Sequence, residues 1–372
     1  MFEDAMNTVD WDVIHTRLEA IREQDVEQLL SADHHLLAGN LDAFMTLISP
    51  VAAPMLDRMA ELSSQITQQR FGKNIHLFIP MYLSNECQNI CTYCGFSFTN
   101  KIPRKTLSDD EILAEIAILK AYGYDSILLV TGEANQTVGV DYLLHAVRLV
   151  KQHFSQVSIE VQPLEQNEYE LLKEEGVYAV LVYQETYHQE LYKQYHPKGK
   201  KANYGYRLDT PDRLGKAGMH KIGLGVLLGL SDWRVDSYFN ALHLNYLQKT
   251  YWQTKYSVSF PRIRPHEGEF IPESLMSEKS MLQLICAYRI CFPDVELSLS
   301  SRERPEFRDA VIPYGITSMS AGSETDPGGY ANPNKNLKQF ETHDPRSPQE
   351  MVSVIKSKKY EAVWKDWDAV LY

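Results

Sequence analysis

Eight short apolar runs alternate with helix-patterned segments from Ile75 onward, and that alternation leaves few folds open. The runs are IHLFIP, SILLVTGE, VSIEVQP, YAVLVYQE, IGLGVLLG, YSVSF, VELSLSS and ITSMSAG. Runs of this length and composition read as strands, and strands separated by helices read as parallel, each helix crossing back over the sheet. The helices carry their own punctuation. Ser108 and Glu111 have capping-box spacing ahead of a helix that closes at Gly123, and further helices are expected over 141–154, 232–251 and 277–292. Eight is the number of strands that closes a barrel. A doubly wound open sheet is the alternative, but no glycine-rich dinucleotide fingerprint follows the first run. The expected fold class is therefore α/β, a (β/α)8 TIM-type barrel.

The segments on either side of the alternation differ from it. Trp11, Ile14, Leu18 and Ile21 recur at helical spacing, and Pro54 and Gly72 bracket a further helix. Residues 1–73 thus read as a helical extension and 74–321 as the barrel. Residues 322–372 read as a Gly/Pro/Asn-rich loop, a short helix and an aromatic tail packing on it. A net charge of -12 argues against nucleic acid as a partner. The short basic clusters Lys101/Arg104/Lys105 and Lys198/Lys200/Lys201 read as solvated loop charge. Neither a signal peptide nor an apolar run of membrane-spanning length is visible. Five cysteines, an odd count with three clustered, fit a cytoplasmic metal or catalytic role better than a secreted disulfide framework.

A barrel puts its chemistry at the C-terminal ends of its strands. Polar residues do follow the apolar runs there: Thr131–Glu133, Glu160 with Gln162, Tyr183–His188, Ser300–Glu303, and Ser318 with Ser320. After the first run come Cys87, Cys91 and Cys94. Three readings of that cluster compete: a structural zinc, a redox dithiol at Cys91–Cys94, and an iron–sulfur cluster held by thiolates. Zinc lacks a fourth ligand, because Cys286 and Cys291 lie in a helix-patterned run that reads as core. A dithiol leaves Cys87 idle. Three thiolates on four irons leave one iron open, which suits a catalyst that binds substrate to metal.

The CxxxCxxC motif with Tyr93 before its last cysteine resembles the radical S-adenosylmethionine (SAM) superfamily. The blocks MYLSNECQNICTYCGFS, LLVTGE, EVQPL, VYQETYH, YSVSFPRIRP, ELSLSSRE and DPGGYA are similar to its tyrosine-lyase family of thiamine biosynthesis, over nearly the whole chain. That resemblance implies a 4Fe-4S cluster on Cys87, Cys91 and Cys94, with SAM chelating the open iron. It sets Tyr93 against the adenine, and Thr131, Gly132 and Glu133 near the methionine amino group. Gly223, Gly225 and Gly229 are expected beside the adenine, and Glu160, Gln184 and Glu185 near the ribose or substrate. Thr131 departs from the glycine usual at its position.

Arg302 is expected to hold the substrate carboxylate, aided by Ser320, with Arg262 and Arg264 as weaker candidates. Glu185, Tyr187 and His188 are candidates for handling a phenol proton. The implied reaction takes a hydrogen from the amino group of L-tyrosine and breaks Cα–Cβ, giving 2-iminoacetate and p-cresol with 5′-deoxyadenosine and methionine. The implied partners are thiazole synthase, met through the acidic N-terminal helices or the WKDWD tail, and a flavodoxin- or ferredoxin-type reductant. Tryptophan lyase and deazaflavin-forming enzymes are the nearest alternatives. The hydrogenase-maturation lyase has a second cysteine cluster, whereas no cysteine follows Cys291 here. A zinc-stabilised binding protein would bear the same three cysteines.

Overall fold

The computed structural model describes residues 2–264, 266, 270–272 and 274–365. Its strands are β1 (Asn74–Ser84), β2 (Ser126–Thr131), β3 (Gln156–Glu160), β4 (Val177–Leu181), β5 (Lys221–Gly225), β6 (Lys255–Ser259), β7 (Glu296–Leu299), β8 (Ser318–Ser320) and β9 (Glu361–Val363). The eight expected runs are β1 to β8, all parallel, in the order 2-3-4-5-6-7-8-1, and β1 also pairs with β2, which closes the barrel.

The seam is β1. Its first residues pair with β9 (Asn74 with Glu361), its middle with β8 (His76 with Ser318), and its end with β2 (Ile79 with Ile127). One long strand thus serves three neighbours. Between Tyr82 and Ser84 the register with β2 shifts by one residue. A bulge there bends the strand and re-aims the chain that follows, which carries the cysteines.

Helices clothe the barrel where their sequences predicted them. Ser108 caps Asp109–Ala121, with its N–H donating to Glu111 Oε2 at 3.0 Å and its Oγ accepting from the Glu111 N–H at 3.4 Å. The helices Trp233–Thr250 and Glu278–Cys291 lie under the N-terminal extension. Phe44 meets Tyr288 edge-on at 4.8 Å, Trp11 stacks on Phe239 at 5.5 Å, and Phe2 stacks on His243 at 3.8 Å. One continuous apolar core runs from Phe2 to Tyr360, so neither flank is separate from the barrel. Cys286 and Cys291 are fully buried in that core.

The ninth strand was not expected. The sequence reads as an aromatic tail from Val363 onward, but the backbone of Glu361–Val363 extends the sheet at the N-terminal end of β1. Trp364 follows, edge-on to Tyr124 at 5.1 Å; positions 366–368 of WKDWD lie outside the described residues. Among the described residues, no helix is long and apolar enough to cross a membrane.

Candidate functional site

The chain leaving the β1 bulge forms the cysteine loop, and Arg104 holds its shape. The Arg104 guanidinium donates to the carbonyls of Asn85 (2.7 Å), Phe96 (2.9 Å), Ser97 (2.7 Å) and Asn100 (3.3 Å). Asn85 secures the other side, donating to the Pro103 carbonyl at 2.9 Å and accepting from the Lys105 N–H at 2.7 Å. Four carbonyls on one planar cation fix the loop independently of any metal. Arg104 is thus a clamp and not solvated charge.

Cys91 is buried, and Cys87 and Cys94 are half-buried. Their sulfurs do not all lie within 4.8 Å of one another. A tetrahedral zinc with sulfurs at about 2.3 Å would draw them to about 3.8 Å apart. The three sulfurs are therefore not gathered at single-zinc spacing. Burial pushes the Cys87 thiol up to about 11 and raises Cys91 and Cys94 as well. Thiols so placed become thiolates when a metal's charge compensates the lost proton. Gln339 reaches in from the C-terminal segment, its Nε2 3.8 Å from Cys94 Sγ and its Oε1 accepting from Tyr82 Oη at 2.8 Å.

The segment after β2 is stitched to this loop. Gly132 donates to the Ser84 carbonyl at 2.9 Å, and Gln88 donates to the Glu133 carbonyl at 2.9 Å. A side chain at Gly132 would place its Cβ 2.2 Å from the Glu86 carbonyl oxygen, so only glycine allows this approach. Glu133 accepts from Asn89 Nδ2 at 2.7 Å and from Arg207 Nη1 at 2.9 Å. Arg207 also reaches Glu185 at 3.4 Å, and Lys201 pairs with Glu185 at 2.6 Å. Burial pulls Glu133 and Glu185 upward, but Arg207 and Lys201 outweigh it and hold both carboxyls below their ordinary value.

Neither cation was singled out from the sequence. Lys201 belongs to the Lys198/Lys200/Lys201 cluster read as solvated, yet its side chain is only 11% exposed. Glu185 itself has a backbone φ of +72°, a left-handed conformation that costs a non-glycine residue about 1–3 kcal/mol and gathers at functional sites. Asp236 anchors the strained segment by accepting from the Tyr187 N–H at 2.7 Å and from Thr186 Oγ1 at 3.1 Å.

A second cavity adjoins the cysteine cavity, and Val130, Glu160, Leu181 and Tyr183 line both. Arg302 and Ser320 line this second cavity. The Arg302 guanidinium lies over the Phe340 ring, 3.6 Å from its centroid. The neighbouring carboxylate does not claim it, because Glu303 takes both oxygens to Arg262. That pairing removes Arg262 from the candidates and leaves Arg302 facing the cavity. Ser320 Oγ accepts from the Ser301 N–H at 3.1 Å.

The remaining expected residues divide. Tyr93 lies beside the cysteines, its hydroxyl 2.6 Å from His196 Nε2, in an aromatic wall with Tyr195 and Phe270. Gly223 and Gly225 leave room for Leu181 and Tyr183, whose side chains a Cβ would meet at 2.5 Å and 3.0 Å; Gly229 adopts a φ of +121°. His188 does not reach the site. It caps Gln189–Tyr195 by accepting from the Leu191 N–H, with its ring 4.7 Å from that of Trp11. Tyr187 is likewise buried against Phe239 and His243.

Comparison with known proteins places this sequence in a family. The radical SAM superfamily matches residues 81–242, and the Biotin and Thiamin Synthesis associated domain matches residues 259–361. Over 371 residues the chain is 48% identical to 2-iminoacetate synthase from Salmonella typhimurium and, equally, to that from Escherichia coli K12. The alignments span 100% of this chain and 97% of each relative. The chain belongs to the 2-iminoacetate synthase family. A crystal structure of the FeFe-hydrogenase maturase HydG from Carboxydothermus hydrogenoformans shares the fold with a TM-score of 0.90 at 26% identity, over 99% of this chain and 86% of that one. Methylornithine synthase shares the fold alone, with a TM-score of 0.68 at 20% identity, over 95% of this chain and 97% of that one.

Membership of the radical SAM superfamily implies a 4Fe-4S cluster and SAM, and the residues present fit both. Three thiols line one cavity, while Thr131 Oγ1 and Gln184 Nε2 are buried without a hydrogen-bond partner. Thr131 borders the cysteine cavity, so its hydroxyl is placed to receive a polar group there.

Proposed function

We propose that this chain is a carbon–carbon lyase that cleaves Cα–Cβ of L-tyrosine to 2-iminoacetate and p-cresol, for thiazole assembly in thiamine biosynthesis. The observation that carries this reading is the shared wall between the cysteine cavity and the cavity of Arg302. Cys87, Cys91 and Cys94 would hold the 4Fe-4S cluster, and Thr131, Gly132, Glu133 and Gln184 would border SAM. When bound, the reduced cluster and SAM supply a 5′-deoxyadenosyl radical, whose abstraction of hydrogen starts the cleavage.

The chain's own part is to bind and orient. Arg302 presents a planar fork to the substrate carboxylate, and Phe340 fixes the plane of that fork. Leu181 and Tyr183, packed into the space left by Gly223 and Gly225, form the partition across which the substrate amine faces the cofactor. Orientation governs the outcome, since presenting N–H instead of Cβ–H decides which bond breaks.

2-Iminoacetate hydrolyses readily, which favours a hand-off to thiazole synthase in a complex, through the acidic N-terminal helices or the C-terminal tail. A flavodoxin- or ferredoxin-type protein would supply the electron. Five cysteines, none in a disulfide, favour a reducing, cytoplasmic setting. The test is a reduced, anaerobic incubation with SAM and tyrosine. The expected products are p-cresol and 5′-deoxyadenosine; deoxyadenosine without p-cresol would reject tyrosine as substrate.

A further inference from the structure

Among the described residues, the second cavity has one cation and one carboxylate in its lining, Arg302 and Glu160. An α-amino acid carries the complementary pair, a carboxylate and an ammonium on a single carbon. Building on the tyrosine-lyase reading, we propose that Glu160 receives the ammonium of the bound amino acid, accepts a proton from it, and thereby presents the neutral amine to the cofactor side.

Three observations converge on Glu160. The other carboxylates nearby are engaged: Glu133 and Glu185 by Arg207 and Lys201, Glu303 by Arg262. Glu160 has no ion-pair partner within 4.0 Å among the described residues, and Tyr183 is a side-chain hydrogen-bond partner. It also ends β3, opposite Val130 of β2, in the wall common to the Arg302 and cysteine cavities. An amine held there lies between the group that fixes its carboxylate and the group that takes its hydrogen. Among the described residues, no other carboxylate occupies that boundary.

The protonation chemistry is consistent. Burial raises the Glu160 carboxyl to about 7, against the opposing pull of Arg302 and Lys201 and the Tyr183 hydrogen bond, with Glu185 adding to the rise. Tyr82, on β1, faces it as a neutral phenol that burial keeps protonated. A carboxylate poised there can take a proton near neutral pH. In the step, an N–H bond of the ammonium breaks and an O–H bond forms on Glu160; no electrons are transferred. The neutral amine then offers an N–H with a free lone pair.

The test uses reconstituted, SAM-loaded holoenzyme, wild type and Glu160→Gln, with two ligands. L-Tyrosine has the amine, and 3-(4-hydroxyphenyl)propanoate lacks it. The variant should bind tyrosine about 10- to 100-fold more weakly, the loss expected when a charge-assisted hydrogen bond is removed. It should bind the propanoate within about threefold of wild type, which also reports that the variant is folded. In wild type, kcat/KM for tyrosine should fall as pH drops below about 7 and Glu160 becomes protonated; the variant should lack that limb. Equal losses for both ligands, undiminished tyrosine binding, or an acid limb kept by the variant would each overturn the proposal. Should wild type bind tyrosine yet release no p-cresol, the lyase reading fails while the two-ligand comparison still decides Glu160.

Discussion

The two ends of the barrel contrast in how their charges are matched. At the N-terminal end lies the larger cavity, about 510 Å³, lined by His76, Lys221, Lys255 and Glu296 among others. There Lys221 and Glu296 pair with each other, and burial lowers the His76 imidazole to about 4, keeping it neutral. At the C-terminal end the cavities are smaller. Yet Arg302 and Glu160 stand without ion-pair partners among the described residues, Glu185 is backbone-strained, and Thr131 and Gln184 have unpartnered buried atoms. Volume alone would point to the N-terminal end, whereas unmatched complementary charge beside three thiols points to the C-terminal end.

The larger expected effect is at the C-terminal end. Arg302→Lys keeps the charge but loses the fork, and kcat/KM for tyrosine should fall about 100-fold, as for a positioned contact displaced by about an ångström. Iron and sulfide content should match wild type, because Arg302 lies apart from the cysteine loop. If kinetics with tyrosine were unchanged, the carboxylate would be held elsewhere.

The reach of the sequence follows the range of each interaction. Strand alternation, the Ser108–Glu111 cap and the cysteine spacing are local, and the barrel and the radical SAM superfamily were readable from them. The place of Arg302 in the cavity lining was readable because it directly follows an apolar run. Arg207 was not, since its partner Glu133 is 74 residues away and barrel closure alone brings them together. Arg104 acts on backbone carbonyls, which carry no side-chain signature. His188 misled for the opposite reason: it follows a strand among polar residues, but the chain turns there and uses its ring as a cap. Three residues of β9 are too few for a periodic signal.

A smaller effect is expected at the N-terminal end. Glu296→Gln leaves Lys221 without its partner and should cost about 1–3 kcal/mol of stability at pH 7, while p-cresol formation stays within about threefold. Burial pushes the Glu296 carboxyl up, but Lys221 overrides it and holds it below its ordinary value. The pair's contribution is therefore present above the unfolded carboxyl's value of about 4.3 and is lost as pH falls through the folded one. Denaturant titrations should show the gap between wild type and variant closing as that lower pH is reached. A variant that folded normally yet made no p-cresol would give the N-terminal cavity a chemical role and dissolve the contrast between the two ends.

The central claim is that Cys87, Cys91 and Cys94 are the full protein complement of the cluster and that SAM completes it. The most direct measurement is electron–nuclear double resonance on the reduced, reconstituted protein with SAM labelled at its amino nitrogen and carboxylate oxygen. The account predicts hyperfine coupling from both labels to the cluster. A cluster that forms without such coupling, or one colourless metal ion per chain with no sulfide, would contradict it.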